Sequence, residues 1–288
     1  MSAEIRTFES FDAFAHHCQS ALMRDECRNN VILGTCHRFR HQPTDVSKYH
    51  FMAAIGEDET IISCSLTTPT KTYVTTFIEQ IDAAVKPLAD YFDCHRMKLR
   101  GVAGEMTTVR RFLDFYPQPI LQSKTLLLNV LETLQSVELV PESELTLAKL
   151  DDLAVLTVWA KNFLLDADLL PPRSDEELRT MVKEKIDQKR LYTLTSSSEK
   201  AALSMAAVTR ETEHFAFLSW VYTPADQRGR GYASTTVYRL TELVLRMKKK
   251  RCALFSDASN STSNKIYRRI GYQPLGNFFD VDFEEKNH

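Results

Sequence analysis

The sequence predicts an α/β protein with a mixed sheet, divided between two domains. Short stretches of alternating apolar residues, fit for strands, are interleaved with longer ones whose apolar residues recur three and four positions apart, fit for helices. The same order of such segments runs twice along the chain. The 288 residues also exceed the roughly 100 to 200 that one typical domain needs. No Gly/Ser linker or low-complexity tract marks a junction, so the boundary is set by pattern at Val137 to Ser143, VELVPES with Pro141 at its centre. Domains of residues 1–140 and 141–288 follow.

In the second domain, Glu144 to Ala148 alternates as a short strand. Asp151 to Leu165 then carries Leu153, Val155, Leu156, Val158, Trp159 and Phe163 at helical spacing. After Pro171 and Pro172, Ser174 and Glu177 form a capping box, in which the serine hydroxyl and the glutamate carboxylate each serve a backbone N–H at the start of a helix running to about Lys189. Leu191 to Thr195, Ala201 to Thr209 and Phe215 to Thr223 read as consecutive hairpin strands, separated by the polar SSSEK and RETEH. Val237, Leu240, Val244 and Met247 give a helix from Ala233 to Lys250. Its basic end, Lys248 to Arg251, suits the negative pole of the helix dipole better than a nucleic acid. Cys252 to Phe255 is a buried strand, Ser261 to Ile270 a helix closed by Gly271, and Asn277 to Phe283 a last strand.

The first domain repeats that order. Tyr49 to Ile55, Ile61 to Leu66 and Tyr73 to Phe77 are strands, Ile78 to Phe92 a helix, Lys98 to Val102 a strand and Gly104 to Phe115 a helix.

Composition excludes several classes. A formal charge of -2 gives no global basic field for nucleic acid or an anionic membrane, so any polyanion must be held locally. No apolar run approaches the roughly 20 residues that span a bilayer, and the N-terminus lacks a secretory h-region; a soluble, cytoplasmic chain is expected. The six cysteines are scattered without a CxxC pair. His16-His17-Cys18, Cys36-His37 and Cys94-His95 lack the paired spacing of a structural zinc site, so reduced thiols and no metal are expected.

One segment concentrates chemistry. Val221 to Ser234, VYTPADQRGRGYAS, joins a predicted strand to a predicted helix and holds two of the eight glycines. Glycines there let the backbone approach an anion, while the helix start offers unpaired N–H groups and the positive end of its dipole. A P-loop would need Lys and Ser or Thr after Gly231, where Tyr232 and Ala233 stand, and a GxGxxG fingerprint would need glycine at Ser234. Both fail. About thirty residues on stands Asn260-Ser-Thr-Ser-Asn264-Lys-Ile-Tyr267-Arg-Arg-Ile-Gly271-Tyr272.

Arg228-x-x-Gly231-x-Ala233 resembles the pyrophosphate-binding signature of the GNAT superfamily of N-acyltransferases. The second segment resembles that family's later motif, an asparagine seven residues before a helical tyrosine and then a Gly-aromatic pair. The resemblance covers roughly Glu144 to Phe283 and is densest from Phe215 to Tyr272. It implies two GNAT-like domains, the first degenerate: no glycine loop lies between Phe77 and Ile78, so a second phosphate cradle is missing and that half would wall an acceptor cleft.

The resemblance also assigns roles. The strand ending at Val221, Tyr222 and Thr223 would pair with the pantetheine arm of acyl-coenzyme A, and the Val221 N–H would hold the acyl carbonyl. Gly229, Arg230, Gly231, Tyr232, Ala233 and Ser234, with Arg228, would take the pyrophosphate. Asn260 and Asn264 would contact the cofactor, and Tyr267 would protonate the departing thiolate. The general base is open among Glu211, Glu213, His214, Asp257 and a water chain; Asp257 is the favoured side chain among them, yet it reads first as an Asx-type cap for the turn in DASNST. Phe278, Phe279, Phe215 and Trp220 either line the cleft or fill the core.

The activity implied is direct transfer of an acetyl or other short acyl group from acyl-CoA to a small amine or amino-acid-like acceptor. A non-catalytic acyl-CoA sensor or scaffold of the same fold is the alternative, and nucleotide-phosphate binding through the same loop a third. Acceptor identity, chain length and oligomeric state are not readable.

Overall fold

The computed structural model describes residues 3–41, 45–169, 172–198, 201–248 and 250–284. Met1 and Ser2, Pro171 of the expected Pro-Pro break, Glu199 and Lys200 of the expected turn, and Lys249 of the basic run lie outside them.

The chain begins β1 (Glu4–Phe8), α1 (Phe11–Met23), α2 (Asn30–His41), β2 (His50–Ile55), β3 (Ile61–Thr67), β4 (Thr72–Thr76), α3 (Ile81–Cys94), β5 (Gly101–Glu105) and α4 (Met106–Phe115). It continues with β6 (Ile120–Leu131), β7 (Ser143–Leu147), α5 (Leu153–Asp166), α6 (Asp175–Asp187), β8 (Leu191–Ser196), β9 (Ala202–Glu211) and β10 (Phe215–Tyr222). Then come α7 (Tyr232–Leu243), β11 (Arg251–Asp257), α8 (Ser261–Ile270) and β12 (Tyr272–Phe283). Two compact units result, Met1–Leu127 with Gly276–His288, and Leu128–Leu275.

These bounds differ from the expected junction at residue 140 because the end of β12 is built into the first unit. Phe278 to Asp282 pair antiparallel with Glu105 to Gly101. The buried Lys71 ammonium fixes that strand, lying 2.5 Å from both Asp280 and Asp282 and donating to the Val281 carbonyl at 3.1 Å. Phe278 and Phe279 therefore sit in the first unit, Phe279 against its core with Arg110 over its ring at 5.7 Å.

In the first unit β1 to β4 are antiparallel neighbours, and β4 pairs parallel with β5. Side chains alternate along β2: Phe51, Ala53 and Ile55 join a core with α1 and α2, while Met52 and Ala54 join one with α3 and α4. The link from β4 to α3 is the glycine-free Phe77–Gln80. β1, α1, α2 and β6 are additions to the elements expected from sequence. The β1 segment EIRTF has no fully buried residue and so little apolar signal, whereas Phe11, Phe14, Ala15, Cys18 and Leu22 form a helical face.

The second unit repeats the plan. β7, β8, β9 and β10 are antiparallel neighbours and β10 pairs parallel with β11. Ser174 and Glu177 make the expected capping box, with bonds of 3.2 and 2.8 Å. One core packs β8 to β10 on α5 and α6 through Leu156, Trp159, Val182, Met205 and Trp220. The other packs the sheet on α7 and α8 through Val208, Leu218, Val237, Leu240, Leu254, Tyr267 and Tyr272. The helix from Tyr232 widens into a π turn over Val244–Lys248, ahead of Lys250, whose ammonium donates to the Thr212 carbonyl at 2.6 Å.

Gly271 closes α8 as expected, at φ 111°. Its neighbourhood is as restrictive as its dihedral, because a Cβ there would lie 1.9 Å from the Thr133 carbonyl oxygen. Gly271→Ala is expected to destabilise the protein by about 3 kcal/mol or more, combining left-handed strain with a backbone clash. Chemical denaturation with the midpoint followed by fluorescence measures it; a variant within about 0.5 kcal/mol of wild type would contradict this reading.

Candidate functional site

The site begins where two parallel strands part. β10 and β11 stay in register from Phe215 against Arg251 to Leu218 against Leu254, yet β10 runs on to Tyr222 and β11 to Asp257. On its other side β10 slips against β9: Ser219 faces Ala207 and Tyr222 faces Met205, so Trp220 and Val221 stand opposite Ala206 alone. One extra residue makes a bulge, and Trp220 takes it up at φ 56°, a conformation that costs a bulky residue on the order of 1 to 3 kcal/mol. Packing holds it there. Trp220 is 6% exposed, beside Phe163 and under the Lys185 ammonium at 4.7 Å.

The bulge also reverses the faces of the strand, since side chains alternate with period two. Ala216 and Leu218 lie in the α7 and α8 core, whereas Trp220 and Tyr222 lie in the α5 and α6 core, and Val221 packs with the former. Trp220 is thus a core and bulge residue, and Phe215 is buried at the other end of the strand under Arg251 at 4.8 Å.

The strand end is braced. Ser204 Oγ donates to the Tyr222 carbonyl at 2.9 Å, Thr223 Oγ1 to Ser204 Oγ at 3.0 Å, and Arg228 Nε to the Thr223 carbonyl at 3.1 Å. The same guanidinium pairs with Asp166 at 2.6 Å and lies over the Tyr222 ring at 5.7 Å. Arg228 therefore ties the loop to the end of α5; the sequence reading of it as a source of charge for an anion misses this tie.

A 3-10 turn over Ala225–Gln227 leads to Gly229 at φ 79° and Gly231 at φ 81°, the latter the N-cap of α7. The first helical bond is Thr235 N–H to the Gly231 carbonyl at 3.0 Å, so the N–H groups of Tyr232, Ala233 and Ser234 precede the intrahelical ladder. The cap itself has no side chain to serve them, Gly229 to Gly231 are exposed, and a Cβ on Gly229 would meet nothing within 4 Å. Arg230 is exposed and donates to Gln227 at 3.1 Å. From below, Val140 N–H bonds to Thr235 Oγ1 at 3.0 Å.

The corner after β11 carries the second motif. Asn260 caps α8, accepting from Ser263 N–H at 3.0 Å. The buried Asn264 accepts from Ser256 Oγ at 2.7 Å and donates to the Asp257 and Ala258 carbonyls at 3.0 and 3.3 Å. Asn129 of β6 in turn donates to Ser256 at 2.9 Å. The Asn264 amide is thus committed to holding the corner, and Ser256 and Asn129 are partners that sequence reasoning left out. Tyr267 is 8% exposed, edge-on to Tyr272, and burial pushes its phenol up to about 12 against the pull of a bond to Ser263.

The candidate bases divide clearly. Glu211 faces Ala216 across the ladder and pairs with Arg190 at 3.6 Å, while Glu213 and His214 lie in the turn before Phe215. All three stand at the start of β10, about 20 Å of strand away from Tyr222, too far to touch a substrate there. Asp257 is at the right end but makes an Asx turn, accepting from Ser259 N–H at 2.7 Å and its hydroxyl at 2.5 Å. Among the described residues no three His, Cys, Asp or Glu side chains assemble as a metal site, and no helix is long and apolar enough to cross a membrane.

The arrangement is a pair of parted strand ends followed by an exposed glycine loop and an uncapped helix start. Residues 198–278 match the FR47-like protein family model. No curated protein sequence matches the chain. Its structure is similar to a GCN5-related N-acetyltransferase from Sphaerobacter thermophilus at 11% identity and TM-score 0.67, covering 97% of this chain and 95% of that one. A tandem GNAT protein from the clavulanic acid biosynthesis pathway aligns at 10% identity and TM-score 0.63 over 99% and 100%. A GNAT-family acetyltransferase from Colwellia psychrerythraea aligns at 12% identity and TM-score 0.58 over 98% and 100%. With its two repeated units and its FR47-like segment, the chain has the tandem fold of the GNAT acetyltransferases.

Proposed function

We propose that the second unit binds acyl-coenzyme A and transfers its acyl group directly to an amine. The observation that carries this reading is the parting of β10 from β11 beside a bulge, immediately before two left-handed glycines and an uncapped helix start. Val221, Tyr222 and Thr223 supply backbone groups for the pantetheine amides, as an added strand would. Gly229 through Ser234 supply N–H groups for the pyrophosphate. Asn260 and Asn264 support that surface by fixing the β11 to α8 corner.

In the reaction the amine nitrogen attacks the thioester carbonyl, a C–N bond forms, the C–S bond breaks, and the thiolate leaves with coenzyme A. The Val221 N–H stabilises the charge that grows on the carbonyl oxygen, an effect of about 2 to 4 kcal/mol at comparable oxyanion holes. Tyr267 stays protonated at neutral pH. Giving its proton outright to a thiolate of pKa about 8.5 is uphill by about 5 kcal/mol, so its hydroxyl acts on the sulfur as a hydrogen-bond donor. The amine proton passes to water, since Asp257 is engaged in its turn and the other acids stand at the far end of the strand. A small amine or amino-acid-like acceptor and a cytoplasmic setting complete the proposal.

Calorimetric titration with acetyl-CoA tests the cradle. Wild type is expected to bind saturably and Gly231→Asp to lose binding, because aspartate tolerates the left-handed conformation yet sets a carboxylate against phosphate. Binding by neither protein would overturn the proposal.

Tyr267→Phe is expected to keep acetyl-CoA affinity and lower kcat roughly ten- to a hundredfold. The raised phenol adds a second signature. Its native value lies above the ordinary 10, so the stability it confers is whole below pH about 10 and is lost as pH rises toward about 12. Melting temperatures measured across pH 9 to 12 should therefore fall more steeply for wild type than for Tyr267→Phe. Parallel curves would contradict the burial argument.

A further inference from the structure

A basic recess on α8 is used by none of the steps above. It measures about 440 Å³ and is lined by Ser261, Lys265, Arg268 and Arg269. The three cations are exposed, and α8 contains no acidic residue. Among the described residues none of the three forms an ion pair, whereas the arginine beside the glycine loop, Arg228, is bound to Asp166. Helix electrostatics explains only part of this. Arg268 and Arg269 lie in the last turn, where cations complement the dipole, whereas Lys265, fifth of the ten helical residues, lies outside that turn and gains nothing from it.

The topology brings the start of α8 to the same end of the sheet as the glycine loop. β10 and β11 are parallel, so α7 and α8, which follow them, both begin at the same edge of the sheet and pack against each other. Ser261, which lines the recess, follows directly on Asn260 at the cap of α8. A coenzyme A molecule carries a third phosphate besides its diphosphate, a dianionic monoester on the ribose, and the N–H groups of α7 provide for the diphosphate alone.

We propose that Lys265, Arg268 and Arg269, with the Ser261 hydroxyl, bind the ribose 3′-phosphate of the acyl-coenzyme A, so that the site selects the 3′-phosphorylated carrier over its dephosphorylated form. This rests on the reading of the second unit as an acyl-CoA site. It assigns the nucleotide end of that site to a helix face which the diphosphate loop does not include.

The test titrates the full chain with acetyl-CoA and with acetyl-3′-dephospho-CoA, in wild type and in a Lys265→Ala, Arg268→Ala, Arg269→Ala variant. Wild type is expected to favour acetyl-CoA by roughly tenfold or more, with the preference shrinking as salt rises. The variant is expected to bind both ligands alike, at the affinity wild type has for the dephosphorylated one. Equal binding of both ligands by wild type, or a preference that survives in the variant, overturns the proposal while leaving the acyl-CoA site standing. Binding of neither ligand by wild type overturns both. The substitutions lie on an exposed helix face; should the variant melt lower, the wild-type comparison of the two ligands decides alone.

Discussion

Backbone N–H and C=O groups taken out of water must find partners, and β10 outruns the strand that should provide them. Its ladder with β11 stops at Leu218, four residues before its end. The bulge at Trp220 follows directly on that stop. By inserting one residue it turns Val221 onto the α7 and α8 face, sends Trp220 and Tyr222 into the opposite core, and leaves a short edge in the interior of the sheet. In the function proposed above, the pantetheine amides answer that edge as an added strand would. Every other feature of the site lies at that end of β10.

The cost of such an opening is carried by the groups around it. Asn129, Ser256 and Asn264 form a buried chain of hydrogen bonds from β6 through β11 to α8, fastening the far wall where the strands separate. On the near side Ser204, Thr223 and Arg228 hold the end of β10, and Asp166 anchors that arginine to α5. With both walls fixed by side chains, the loop between them can be left as backbone. Two glycines and an uncapped helix start are the groups to which the proposal assigns the diphosphate.

Much of this is legible in the sequence because it depends on local chemistry. Glycine at 231 and 271, the Ser174 and Glu177 pair, and the alternation of β8, β9 and β10 all act within a few residues, and each was found where the pattern put it. The parity switch at Trp220 was not legible, since FAFLSWVY alternates equally well for either face and only the partner strand shows the extra residue. Nor was the destination of the last strand, because Lys71, which receives Asp280 and Asp282, stands about two hundred positions away in sequence. The roles of Arg228 and Asn264 shift for the same reason. Their residue types suit a ligand, but Asp166 and Ser256, brought up by the fold, claim their side chains.

Amide hydrogen exchange resolved to single residues, with and without acetyl-CoA, reads the backbone groups at issue. Slowed exchange is predicted at Val221 to Thr223 and at Gly229 to Ser234, with the N-terminal unit unchanged. Unaltered exchange at those amides under saturating ligand, or protection centred on β4 and the start of α3 instead, would contradict a cradle made of the β10 edge and the α7 N-terminus.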